Sequence, residues 1–114
     1  MVTVCKQAVK ELAKQGIKAE LIDLRTIKPL DIATVANSVR KTHHCVLVEE
    51  GHIFTGISSE VAFQVQEYCF DDLDAPPERV TNLFVPMPYN ERQEHAVLPD
   101  AEKTIAAIKQ VLYK

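Results

Sequence analysis

The chain has 114 residues, 46% of them apolar and 25% charged, with a formal net charge of −3. Such a length fits one domain that buries roughly two thirds of its unfolded surface, and the composition is that of an ordinary globular protein. The acidic balance argues against a nucleic-acid footprint, which needs clustered Lys and Arg, and no apolar run approaches the ~20 residues of a membrane-crossing helix.

In chain order, the start MVTVCKQAVK lacks the basic region, apolar core and cleavage site of a secretory signal, so none is expected. Met1, Cys5, Ala8 and Leu12, with Val2, Val9 and Ala13 on the next row, predict a helix over 1–15 that Gly16 stops in a left-handed conformation. Ala19 to Leu24 has the compact apolar content of a strand. Pro29 and Asp31 then open a second helix carrying Ile32, Val35, Ala36 and Val39. Cys45 to Val48 reads as a parallel strand covered on both faces and closed by Glu49-Glu50-Gly51. Gly56 and the hydroxyls of Ser58 and Ser59 predict the start and cap of a third helix with Ile57, Val61, Val65 and Cys69 on one face. Asp74, Pro76 and Pro77 break that helix, and 79–85 (RVTNLFV) has enough β-branched and apolar character for another strand. Pro86-Met87-Pro88-Tyr89 ends it, and Pro99-Asp100 starts a last helix with Ala101, Ile105, Ile108 and Leu112 facing inward. Strands alternating with helices imply a largely parallel sheet with helices on both sides, an α/β fold in three layers.

Few residues suggest chemistry. His43, His44, Cys45, His52 and His95 lack zinc spacing, and Cys45 opens an apolar strand, so structural roles are expected. Glu49 and Glu50 are adjacent on a strand and point to opposite faces; a solvated strand end is expected rather than an acid/base pair. Gly51 and Gly56 flank a helix start, but HIFTGISS is no glycine-rich phosphate loop. Cys5, Cys45 and Cys69, odd in number and set in apolar patterns, read as free thiols of a reducing compartment. Two surface features carry more weight. Asp71, Asp72 and Asp74, near Glu78, gather negative charge on a turn stiffened by Pro76 and Pro77, which suits docking, though such residues also cap helices or simply face water. Phe84, Met87 and Tyr89 are large groups on a stiff backbone, suited to an interface or to packing under the last helix.

The run LDAPPERVTNLFVPMPY, Leu73 to Tyr89, resembles the C-terminal, transketolase-like domain of pyruvate dehydrogenase E1 β subunits, where similar LDAP, ERVT and VPMPY elements precede one last helix. The resemblance covers essentially the whole chain as a single domain, 1–114. It implies a fragment of a longer subunit that starts just after a central strand of the sheet. The gap left by that strand could be met by closure of the strands at Ala19 and Cys45, by Val2 to Val4 turning to strand, or by another chain, including self-association; closure or intermolecular filling is favoured. The resemblance further implies a thiamine diphosphate-dependent enzyme that decarboxylates pyruvate and acetylates lipoyl-E2. Thiamine diphosphate and Mg would be bound outside these residues, leaving the fragment alone inactive. Implied partners are the E1 α subunit, a second β subunit and the E2 subunit-binding domain. Asp71, Asp72, Asp74 and Lys114 would serve docking to E2, and Phe84, Pro86, Met87, Pro88 and Tyr89 a subunit interface. The implied location is bacterial cytoplasm or the mitochondrial or plastid matrix. Alternatives are the branched-chain 2-oxo acid and acetoin enzymes, or a free-standing small-ligand-binding α/β domain, against which the lack of a glycine-rich first turn speaks.

Overall fold

A computed structural model describes residues 1–114. Five helices and two strands follow one another as α1 (Val2–Lys14), α2 (Ile32–Thr42), β1 (Val46–His52), α3 (Ile57–Cys69), β2 (Glu78–Asn82), α4 (Glu91–Val97) and α5 (Ala101–Val111), with a short 3₁₀ turn at Phe70–Asp72. The strands form a parallel pair in which Val46, Leu47 and Val48 face Glu78, Arg79 and Val80, with an irregularity before His52 meets Asn82. Helix α3 packs on β1 with α2 against it, and α5 packs on both strands with α1 against it. The α/β/α arrangement expected from the alternation is therefore present, built on a small sheet.

Local sequence explains most boundaries. Gly16 at φ 78° ends α1, and the Ile17 N–H donates back to the Leu12 carbonyl, a C-terminal closure that favours glycine. Asp31 caps α2 through the Thr34 N–H, and Asp100 caps α5 through the Lys103 N–H. Val35, Ala36 and Val39 of α2 meet Val61, Val65 and Cys69 of α3 in the main core. Cys5, Ala8 and Leu12 of α1 and Ala107 and Val111 of α5 bury the facing stripes of the other helix pair.

Five expectations fail. Ala19 to Leu24 is extended but belongs to no sheet, because β1 pairs only with β2 and a strand without a ladder partner does not form. Closure onto the Cys45 strand therefore does not occur, and Val2 to Val4 remain helical, as their 3.6-residue periodicity demands. β1 runs on through Glu49-Glu50-Gly51 to His52. β2 ends at Asn82 instead of Val85: the Leu83 N–H turns to the Val97 carbonyl, leaving Leu83, Phe84 and Val85 exposed. Helix α4 lies in a stretch read as loop, and its sign was Asn90 followed three residues later by Gln93, a capping pattern. The Asn90 side chain accepts from the N–H groups of Arg92 and Gln93.

Candidate functional site

The acidic turn after α3 is fixed from two sides. His43 ends α2 in a left-handed conformation (φ 61°) and donates its Nδ1 proton to the Asp72 carbonyl at 2.7 Å; the Asp74 N–H donates to the His43 carbonyl at 2.9 Å. Arg40 reaches the Tyr68 carbonyl at 3.1 Å and lies 3.7 Å from the Asp72 carboxylate. Asp72 thus faces a cation of its own chain. Asp71 and Asp74 are exposed and have no ion pair. The end of the chain comes to the same place: the Tyr113 hydroxyl lies 3.5 Å from the Asp74 carbonyl, with exposed Lys114 next to it. Asp71, Asp72 and Asp74 share this turn, while Lys114 is tied back to α5 through its N–H to the Lys109 carbonyl.

Phe84, Met87 and Tyr89 do not tuck under the last helix: Phe84 is 68% exposed, Met87 45%, and Tyr89 fully exposed. Pro86 is exposed and Pro88 half-buried. The His52 ring meets Phe84 edge-on at 5.6 Å, bringing the Ile53-Phe54 loop beside Leu83 to Tyr89. Exposed apolar groups from both loops make a surface of the kind that marks protein contacts.

Glu49 departs most from its expected role. It is no solvated strand end. One carboxylate oxygen accepts from the Ile57 N–H and the other from the Ser58 N–H, each at 2.9 Å, and the Ser58 hydroxyl adds a third bond. Arg79 on β2 completes the link by donating to the Ser58 hydroxyl at 2.9 Å and to the Ile53 carbonyl at 2.6 Å. The cap of α3 is thus a carboxylate eight residues upstream, a partner that local spacing does not reveal. Burial pushes the Glu49 carboxyl up, but the Ser58 and Ile57 bonds and the Arg79 charge outweigh it and leave it below its ordinary value. The anion seat at this helix start is filled from within. Glu50 is exposed, as alternation along a strand predicts.

The other candidates lie apart. His44 Nδ1 donates to the Thr42 carbonyl, and His95 lies 3.9 Å from Glu91 on α4. No three His, Cys, Asp or Glu side chains converge as metal ligands. All three cysteines are free, Cys5 and Cys69 buried and Cys45 half-buried; burial, with the neighbouring Cys69, pushes the Cys45 thiol up to about 11.

This frame of flanking helices and parallel strands belongs to a known class: residues 1–104 match the transketolase C-terminal domain, and the chain is a member of that family. Among individual proteins it is similar to the pyruvate dehydrogenase E1 component subunit beta of Caenorhabditis elegans mitochondria, 50% identical over 107 residues, 93% of this chain and 30% of that protein. The mitochondrial counterpart from Dictyostelium discoideum is 44% identical over 111 residues, 97% of this chain and 31% of the relative. That of the bacterium Rhizobium meliloti is 44% identical over 108 residues, 95% and 24%. The chain spans about a third or less of the length of these relatives.

Proposed function

We propose that this chain is the C-terminal domain of the β subunit of a pyruvate dehydrogenase E1 component, serving subunit assembly and E2 docking while the reaction takes place elsewhere. The observation that carries this is 44–50% identity to such subunits over nearly the whole chain. E1 acts in the bacterial cytoplasm or the mitochondrial matrix, and the relatives include bacterial and mitochondrial proteins.

The resemblance implies thiamine diphosphate with Mg. These residues do not fit that group: a diphosphate and its cation need converging carboxylates and a free helix start, and Glu49 occupies the start of α3. The cofactor is therefore assigned outside this domain.

Docking is assigned to Asp71, Asp72, Asp74 and Lys114. Exposed carboxylates on a backbone held by His43 suit a basic partner domain: opposite charge speeds encounter, and a pre-ordered turn lowers the entropy cost. Asp72, already beside Arg40, contributes least. Contact with the α subunit and the second β subunit is assigned to Phe84, Pro86, Met87, Pro88 and Tyr89, whose exposure leaves them free to bury area in a partner.

The test uses the full-length β subunit assembled with α. Asp71→Asn with Asp74→Asn should weaken E2 binding by about tenfold or more, while pyruvate turnover with an artificial electron acceptor stays unchanged. Unchanged E2 affinity refutes the docking assignment. Pyruvate decarboxylation by the pure 114-residue chain refutes the non-catalytic reading.

A further inference from the structure

The connection from β1 to α3 carries Ile53 and Phe54, 48% and 72% exposed, on a backbone that is pinned at both ends. Arg79 reaches across from β2, donating from Nη2 to the Ile53 carbonyl at 2.6 Å and from Nε to the Ser58 hydroxyl at 2.9 Å. That hydroxyl passes its own proton to Glu49, whose other oxygen holds the Ile57 N–H. A cation, a hydroxyl and a carboxylate are thus linked end to end beneath the loop, and their charges balance. Between the two anchors Thr55 sits at φ 64°. A β-branched residue is an outlier there, and such backbone persists where the surroundings enforce it.

Pinning matters because of what the loop displays. Two large apolar side chains held out on a fixed backbone spare a partner the cost of ordering them. Through the His52 ring, which meets Phe84 edge-on, the loop continues the surface of residues 83–89. Neither 53–57 (IFTGI) nor 83–89 (LFVPMPY) contains a charged residue, which suits the centre of a lasting subunit contact and not a basic docking domain. Phe54, Phe84 and Tyr89 all protrude. Two copies meeting across a twofold axis would set ring against ring, so a different subunit, with recesses to receive them, fits better.

We propose that Ile53 and Phe54 belong to the surface that meets the E1 α subunit, and that Arg79 is a positioning residue that holds them in place through the loop. This inference rests on the reading of Phe84 to Tyr89 as a subunit contact and adds to it a second loop and the residue that sets its shape.

The test uses the full-length β subunit with its α subunit, the affinity of their contact being read by analytical ultracentrifugation. Phe54→Ala should weaken it by about tenfold or more. Arg79→Met keeps the aliphatic stem but releases the Ile53 carbonyl; it should weaken assembly by a similar factor and speed amide exchange across residues 53–56 in free β. Both changes act through one loop, so the double variant should bind within about threefold of Phe54→Ala alone, which a general loss of stability would not produce. The proposal is overturned by unchanged affinity in Phe54→Ala, by unchanged exchange or unchanged assembly in Arg79→Met, or by effects that multiply in the double variant. It is equally overturned if Phe54→Ala weakens contact between β subunits and leaves α binding intact. Phe54 is exposed, so its variant folds and decides the matter even if Arg79→Met does not. Weaker assembly from Phe84→Ala with none from Phe54→Ala sinks this inference alone; no effect from either sinks the subunit-contact reading with it.

Discussion

Both oxygens of Glu49 are engaged at the start of α3, and the fit around them is tight. A Cβ on Gly56 would stand 2.6 Å from a Glu49 oxygen and 2.6 Å from the His52 carbonyl. Gly56→Ala must therefore push out the carboxylate or bend the loop, and should cost about 1–3 kcal/mol in urea unfolding. Glu49→Ala, which leaves the Ile57 and Ser58 N–H groups and the Ser58 hydroxyl without their acceptor, should cost about 1–3 kcal/mol as well. The pH dependence follows from the depressed carboxyl. Its stabilisation is complete above the ordinary value of 4.5 and is lost as pH falls through the lower folded-state value. Thermal melts from pH 6 down to about 3 should thus show an acid-side loss of stability that is shallower in Glu49→Gln. Cys45, raised to about 11, holds almost no thiolate at neutral pH and should react with iodoacetamide far more slowly than a free thiol.

At the level of elements, patterns confined to one helix were readable and those needing a distant partner were not. The stripes of α1, α2 and α3, the Gly16 stop, and the Asp31 and Asp100 starts are all visible in neighbouring residues, whereas α5 buries Thr104, Ala107 and Val111 and leaves the expected row of Ala101, Ile105, Ile108 and Leu112 half-buried. Ala19 to Leu24 has a strand's composition, yet a ladder partner decides whether such a segment is a strand, and none is within reach. Leu83 to Val85 looked like more of β2, but the Val97 carbonyl draws the Leu83 amide out of the sheet. The Asn90 cap of α4 was legible in principle, though the prolines before it suggested a loop. Asn90→Ala should cost about 0.5–2 kcal/mol and raise hydrogen exchange across residues 91–97 more than elsewhere.

Across the whole molecule, the acidic turn precedes β2 while the apolar loops follow the far ends of the parallel strands β1 and β2, so the two proposed contacts can be separated by mutation. The charges of the turn and its stiffening by Pro76 and Pro77 were plain in the sequence; the contacts from His43 and Arg40 were not, because these lie some thirty residues upstream. The central claim, that this domain docks a basic partner, is tested most directly by titration calorimetry of the chain against the E2 subunit-binding domain at low and at high salt. Saturable binding should weaken by about tenfold or more as screening rises, and should disappear when Asp71 and Asp74 are both Asn. Absence of binding at low salt, or equal affinity of the double variant, would contradict it.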